Sequence, residues 1–386
     1  MKHVPINRSV AVVGPTGSGK TVGWVIPSIM AAEGSVVVTD TKGTLCGLLR
    51  DRLEQQGYMV RVIDFVNPVA SSVGYDPLGQ IRVTDGRPNE QDMAAVAHAL
   101  CPVENLMDPF WDYAACNLIQ SMIGYVMEAL PDEEHNLATV AALYQCIADG
   151  SYAKLIDELE TMSPDSYAVR QYASTRAAKD ANADKMIGSI AGIVGEKLSP
   201  FGAREIAGLF TMAERIHFDD LRKRKTALFL NTSDCDRSVD RLVSLCYSQM
   251  YAALIRDWMP GVIPVDVIHD DFAAGTRIAG FDGLISVVRS RDIRVNIIIQ
   301  SLAQLQKLYW SSASTIVENC DSLIYLGGND ISTAAYVGAR IGCNARAVLE
   351  LPPGEALVLQ RGSKPRRVEV VISPVVEQTP QLADAG

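Results

Sequence analysis

Two stretches of the 386-residue sequence carry side chains whose types and spacing suit phosphate chemistry. Gly14–Thr21 reads GPTGSGKT and fits the pattern G-x-x-x-x-G-K-[ST], with an apolar run before it and a helical stretch after it. In such a loop the backbone N–H groups of Gly14, Thr16, Gly17, Ser18 and Gly19 form an anion nest at a helix N-terminus. Lys20 reaches the β- and γ-phosphates, and the Thr21 hydroxyl ligates Mg2+. The second stretch, VIHDDFAAG (Val267–Gly275), ends an apolar run on two adjacent carboxylates. Asp270 and Asp271 repel each other and are costly to desolvate side by side unless a cation or a shared proton lies near. The glycine loop implies that cation: Asp270 fits an Mg2+-holding carboxylate, and Asp271 the group that polarises the attacking water. Asp271 is one methylene shorter than the glutamate usual in that role, so it must sit closer to the γ-phosphate or act through a further water. Without the glycine loop, the pair would read as a cap on the turn after a strand.

IIIQS (Ile297–Ser301) is another apolar run that ends in a polar side chain, which suits Gln300 to contact the γ-phosphate and report its presence to the following helix. Just upstream, VVRSRDIR holds Arg289, Arg291 and Arg294. Phosphoryl transfer gains from a guanidinium that neutralises transition-state charge, often supplied by a neighbouring subunit, and Arg289 is the preferred candidate. The chemistry expected is ATP hydrolysis, with ATP and Mg2+ as ligands.

The elements that must position these groups alternate. SVAVV, SVVVTD and YMVRVIDF read as buried strands separated by apolar helices, the pattern of a parallel α/β sheet with right-handed crossovers. From Asn67 to Asn89 the composition is loop-like, and from there to about Pro200 nearly everything reads as helix. Strands return at TALFLNT, VDVIH, RVNIIIQ, SLIYLG and EALVLQRG. The expected organisation is a nucleotide-binding domain in two parts, 1–88 and 201–372, interrupted by an all-α insertion, 89–200, and followed by a loose tail, 373–386.

A formal net charge of -10 argues against a uniformly basic nucleic-acid coat but leaves room for a local basic groove. The eight cysteines show no C-x-x-C and no histidine-paired spacing, so neither a zinc site nor a disulfide framework is indicated; they read as small buried hydrophobes of a reducing cytosol. No apolar run approaches the roughly 18 residues of a membrane helix, and GWVIPSIMAA is broken by Pro27, so a soluble chain is expected.

With these residues assembled, the sequence resembles the TraG/TraD family of type IV secretion coupling proteins, the conjugation ATPases, in their Gram-positive branch. The stretches that carry the likeness are AVVGPTGSGKT, VVVTDTKG, DPFWDYAACNLIQSMIGYV, TALFLNT, HDDFAAG, VVRSRDIRVNIIIQSLAQL and ENCDSLIYLGG, in family order through almost the whole chain. The resemblance implies a RecA-like P-loop domain carrying an all-α domain, assembled as a ring of probably six subunits with ATP between them. Arg289 then stands where the family places an arginine finger acting in trans, and Arg8 matches a further basic position at the nucleotide site. The implied partners are relaxase-bound, single-stranded DNA or protein substrates and the proteins of a secretion channel, at the cytoplasmic face of the inner bacterial membrane. The family's N-terminal membrane helices have no counterpart before Gly14, so the expected attachment is through an anchor missing from this sequence or through a partner. The proline usual in the turn after the second strand is Thr41 here.

Other features have simpler readings. Asp40 reads as a helix cap, with Lys42 near the nucleotide or a pore as the sharper alternative. Phe110, Trp111 and Tyr113 could stack on bases but read as core of the helical domain. The runs RKRK (222–225) and RGSKPRR (361–367) read as solvated faces rather than phosphate contacts. His269 reads as packing. Two rival functions share the same site: a DNA pump of the FtsK or HerA kind, disfavoured by the helical insertion, and a nucleotide-gated docking platform with negligible turnover.

Overall fold

The computed structural model describes residues 8–180, 183–233, 235–272 and 275–371; the expected tail at 373–386 lies outside them. The chain divides into two compact units, Met1–Val66, Phe218–Arg237 and Met250–Gly386 in one and Asn67–His217 and Ser238–Gln249 in the other.

The first unit is built on a sheet whose strands are, in chain order, β1 (Val10–Val13), β2 (Ser35–Asp40), β3 (Met59–Asp64), β6 (Thr226–Asn231), β7 (Val265–His269), β8 (Ile293–Ile299), β9 (Ser322–Tyr325), β10 (Glu355–Gln360) and β11 (Arg366–Glu369), while β4 (Val83–Thr84) and β5 (Arg87–Pro88) form a separate small hairpin in the second unit. The spatial order is β11-β10-β9-β1-β8-β7-β2-β6-β3. All pairs from β9 to β3 are parallel, and β10 and β11 close one edge as an antiparallel hairpin. The near-continuous Val, Ile and Leu runs follow from burial on both faces of a parallel sheet. Val12, Val36, Val38, Phe229, Ile268 and Ile298 pack on one face against Ile26 and Ile29 of the first helix and Leu45, Leu49 and Leu53 of helix Leu45–Gln55.

The first helix opens as a wide π-type turn, Thr21–Val25, and continues as α-helix Ile26–Met30. Pro27 explains the break, because it lacks an N–H and its ring crowds the carbonyl four residues back; the wider turn relieves both.

The second unit is helical, led by the 20-residue helix Phe110–Ala129, whose Ala115, Cys116, Leu118, Ile119, Met122 and Ile123 are buried. It is wider than 89–200. The loop-like stretch after Asn67 belongs to it because Val73, Tyr75 and Leu78 are buried and the Asp76 carboxylate accepts the Leu137 N–H at 3.0 Å. Gly74 exchanges backbone hydrogen bonds with Glu214 and Ile216, and the Tyr75 hydroxyl donates to Gln249 at 2.7 Å, which draws in 201–217 and 238–249.

Two expectations about side chains are corrected here. Phe110 and Tyr113 are about half exposed, because they occupy the first turn of their helix, ahead of its buried stripe. Arg222 is not on a solvated face: it is buried and donates to the carbonyls of Leu254, Ile263, Arg291 and Asp292. Of the eight cysteines, all free, Cys46, Cys101, Cys116, Cys246 and Cys320 are buried, whereas Cys235 and Cys343 are exposed. Among the described residues no helix is long and apolar enough to cross a membrane.

Candidate functional site

Parallel strands gather their C-terminal ends on one side of the sheet, and the side chains singled out above converge there. The Gly14–Thr21 loop leaves β1, the acidic pair follows β7, and Gln300 follows β8, which lies between β1 and β7. A cavity of about 200 Å³ is lined by Thr16, Gly17, Gly19, Lys20, Thr21, Asp270, Asp271 and Gln300. Gly19 sits at φ 82°, a left-handed conformation that glycine adopts without a Cβ penalty, so its position in the loop is a backbone requirement.

The Thr21 hydroxyl donates to Asp270 Oδ2 at 3.2 Å across 249 residues of sequence. Burial, with the neighbouring Asp271 charge, pushes Asp270 up to about 6, while Thr21, the Asp271 N–H and Lys20 pull the other way. Asp271 itself stands at φ 50°, a left-handed backbone that costs a non-glycine residue about 1–2 kcal/mol and that aspartate tolerates better than most. Its Oδ1 accepts from the Gln300 amide at 3.4 Å, and the Gln300 carbonyl accepts from Gln304 at 3.3 Å on the helix that follows. Gln304 was missed in the sequence; its place one helical turn beyond Gln300 is the signal that could have found it. Lys20 is largely buried, with its pKa lowered by desolvation, and its ammonium donates to the carbonyls of Gly14 at 2.9 Å and Pro15 at 2.8 Å. The Ser18 hydroxyl is buried without a partner.

Asp40, Thr41 and Lys42 complete the cavity wall. Asp40 is a cap, as its sequence suggested: its Oδ2 accepts the Leu45 N–H at 2.7 Å and the Cys46 N–H at 3.4 Å. His269 is buried between the Thr39 hydroxyl (3.2 Å) and the Tyr251 hydroxyl (2.8 Å) and packs on Phe272 and Phe281; burial holds it neutral, with its pKa down at about 3.

Arg8 and Arg289 are not brought to this cavity. Arg8 precedes β1, and Arg289 lies in the turn Val288–Arg291 before β8; both line a separate cavity with Glu33 and Arg294 at the N-terminal ends of the strands. Gln300 and Arg289 flank the seven residues of β8, which at about 3.3 Å per residue span roughly 20 Å, beyond the reach of an arginine within one chain.

The donor set suits a nucleoside triphosphate with Mg2+. Among the described residues no group of three or more His, Cys, Asp or Glu is placed to hold a metal ion, and the cavity offers a hydroxyl and a carboxylate oxygen instead. Mg2+ takes few protein oxygens and completes its shell with water and phosphate, so two such donors beside an anion nest fit it.

The comparisons with known proteins agree with this architecture. The sequence profile described as "Type IV secretory system Conjugative DNA transfer" matches residues 6–348. Protein VirD4 of Agrobacterium fabrum is 24% identical over 338 residues, 86% of this chain and 49% of VirD4, and VirD4 of Rhizobium rhizogenes matches to the same extent. The chain thus spans about half the length of the curated relatives it matches. Among solved structures, the plasmid coupling protein TrwB with a non-hydrolysable ATP analogue aligns with a TM-score of 0.70 at 17% identity, covering 95% of this chain and 86% of TrwB. VirB4 of Thermoanaerobacter pseudethanolicus aligns at 0.60 and 11% identity, covering 96% and 91%. These likenesses give the fold, a RecA-like P-loop domain with a mostly parallel sheet and a helical insertion. By the extent of the profile match, the chain belongs to the family of type IV secretory system proteins of conjugative DNA transfer.

Proposed function

We propose that the chain is the motor portion of a coupling protein that hydrolyses ATP to bring relaxase-bound single-stranded DNA, protein substrates, or both, to a type IV secretion channel. Its place is the cytoplasmic face of the bacterial inner membrane, reached through an anchor or a partner, and its working form is a homo-oligomeric ring of six. The observation that carries this reading is the Thr21–Asp270 hydrogen bond at the mouth of the glycine loop, with Asp271 and Gln300 joined beside it. TrwB structures with an ATP analogue and with ADP and Mg2+ support the same ligands here.

Each residue then has a role its geometry allows. The loop N–H groups from Gly14 to Thr21 receive the phosphates, and the Lys20 ammonium exchanges its two loop carbonyls for phosphate oxygens. Thr21 and Asp270 hold Mg2+, which when bound neutralises charge on the β- and γ-phosphates. Asp271 orients the attacking water and accepts its proton, and the Gln300 amide fixes the carboxylate's direction and passes its state to Gln304. Arg289, with Arg8 beside it in the same remote cavity, serves the site of a neighbouring subunit.

The test is steady-state ATP hydrolysis against protein concentration, with and without single-stranded DNA, beside Lys20→Ala. Turnover that rises steeply with concentration or DNA and vanishes in Lys20→Ala is expected. Tight ATP binding with no turnover in concentrated, DNA-containing samples would overturn the motor.

A further inference from the structure

A second cavity adjoins the phosphate loop and has a different character. Its volume is about 420 Å³, within the range of small-molecule sites, and it shares Gly19 with the cavity above. Its walls are Gly23, Trp24 and Pro27 of the first helix, Leu326 beyond β9, and Val370 just past β11. The approach between the helix and Val370 is close: a Cβ on Gly23 would lie 2.7 Å from Val370 Cγ1, so only glycine lets the C-terminal strand come down over the helix here. The Trp24 indole N–H is already engaged, donating to Asn296 Oδ1 at 3.3 Å, and the ring is left to offer carbon surface. The charged side chain on the lining, Glu369, is exposed.

We propose that this cavity holds the nucleobase and ribose of the triphosphate whose phosphates occupy the glycine loop, that the C-terminal hairpin β10–β11 forms its outer wall, and that it accepts adenine and guanine almost equally. The inference rests on the nucleotide reading given under the proposed function. A nucleoside is tethered to its phosphates, so its base must lie beside the cradle, and the cavity beyond Gly19 is the apolar one there. The other cavity touching the loop, at Pro15, is lined by Gln300, Ser301, Gln304, Asn329 and Asp330 and suits a base poorly. Base selection needs buried polar groups that are left unpaired by the wrong base; an apolar slot discriminates weakly between ligands of similar shape. The walls here bury surface and supply no such group, so the site binds purine nucleoside triphosphates as a class.

Calorimetric titration of the full chain with ATP, GTP and inorganic tripolyphosphate, each with Mg2+, tests this. ATP and GTP are expected to bind within about fivefold of each other, and tripolyphosphate at least about tenfold more weakly. Val370→Asp, at the partly exposed end of the hairpin, is expected to weaken both nucleotides about tenfold and leave tripolyphosphate unchanged, which also reports an intact fold. Val371→Asp, at an exposed position on the same wall, provides a second variant with the same expected direction should the first disturb the hairpin. A preference for one purine above about twentyfold, or nucleotide binding indifferent to both substitutions, overturns the inference while leaving the phosphate site standing. If Lys20→Ala changes none of the three affinities, the underlying nucleotide reading fails instead.

Discussion

Strands β2 and β7 are neighbours in register, with Thr39 opposite His269, and each is followed by a buried aspartate facing the same cavity. The two carboxylates have different employment. Asp40 receives two backbone N–H groups of helix Leu45–Gln55 and anchors its start, whereas Asp270 receives the hydroxyl of Thr21 from across the cavity. The cause is what the backbone does next. After Asp40 the chain turns directly into a helix whose unpaired first-turn donors meet the carboxylate. After Asp270 the left-handed Asp271 leads the chain away, and the next α-helix waits until Phe281. A strand-end aspartate is thus structural or chemical according to where the following N–H groups point.

That contrast can be broken by exchange of charge for amide. Asp270→Asn should reduce ATP turnover at least about 1,000-fold while leaving the unfolding midpoint unchanged or raised, because a buried carboxylate pushed up by desolvation favours the neutral group. A comparable loss from Asp40→Asn would erase the distinction. Asp271→Asn should cost about 100-fold in turnover with nucleotide affinity retained, which separates the water-orienting carboxylate from the cation-holding one.

The helical unit contains a third buried carboxylate that sharpens the comparison. Asp76 is pushed up to about 7 by burial, against the pull of the Leu137 and Gly79 N–H groups and of Arg215 at 3.7 Å. The folded chain therefore keeps a proton there that the unfolded chain releases above about pH 4. Stability is fullest below that and declines as the pH rises to about 7, by on the order of 3 kcal/mol. Urea unfolding across that range should show the decline, and Asp76→Asn should flatten it; an unchanged slope would sink the assignment. The smallest effect belongs to Asp40→Asn, about 1 kcal/mol of stability through a weakened helix start, read as a lower unfolding midpoint with ATP binding retained.

The sheet and the phosphate loop were legible because both are written locally: a buried parallel strand is a run of branched apolar residues, and the loop's glycines answer a backbone demand visible in eight residues. The Asp40 cap was legible for the same reason, since its partners lie within six positions. Long-range placements were not. RKRK reads as surface until the turn Phe218–Arg222 delivers one guanidinium to carbonyls from three other segments. The helical spacing after Phe110 marks the buried stripe correctly but cannot say that the helix's first turn extends beyond its cover. The nucleobase wall was invisible, because Gly23 and Val370 meet only after the sheet has closed.

The separation of Gln300 from Arg289 along β8 has a genetic reading. Since a chain carries the glycine loop at one end of its sheet and the arginine at the other, a lesion in either half leaves the opposite half usable. Lys20→Ala and Arg289→Ala chains, each silent alone, should complement when mixed: a ring drawn from both populations contains junctions where an intact loop meets an intact arginine. Co-expression of the two defective alleles would then recover a fraction of transfer that neither supports by itself.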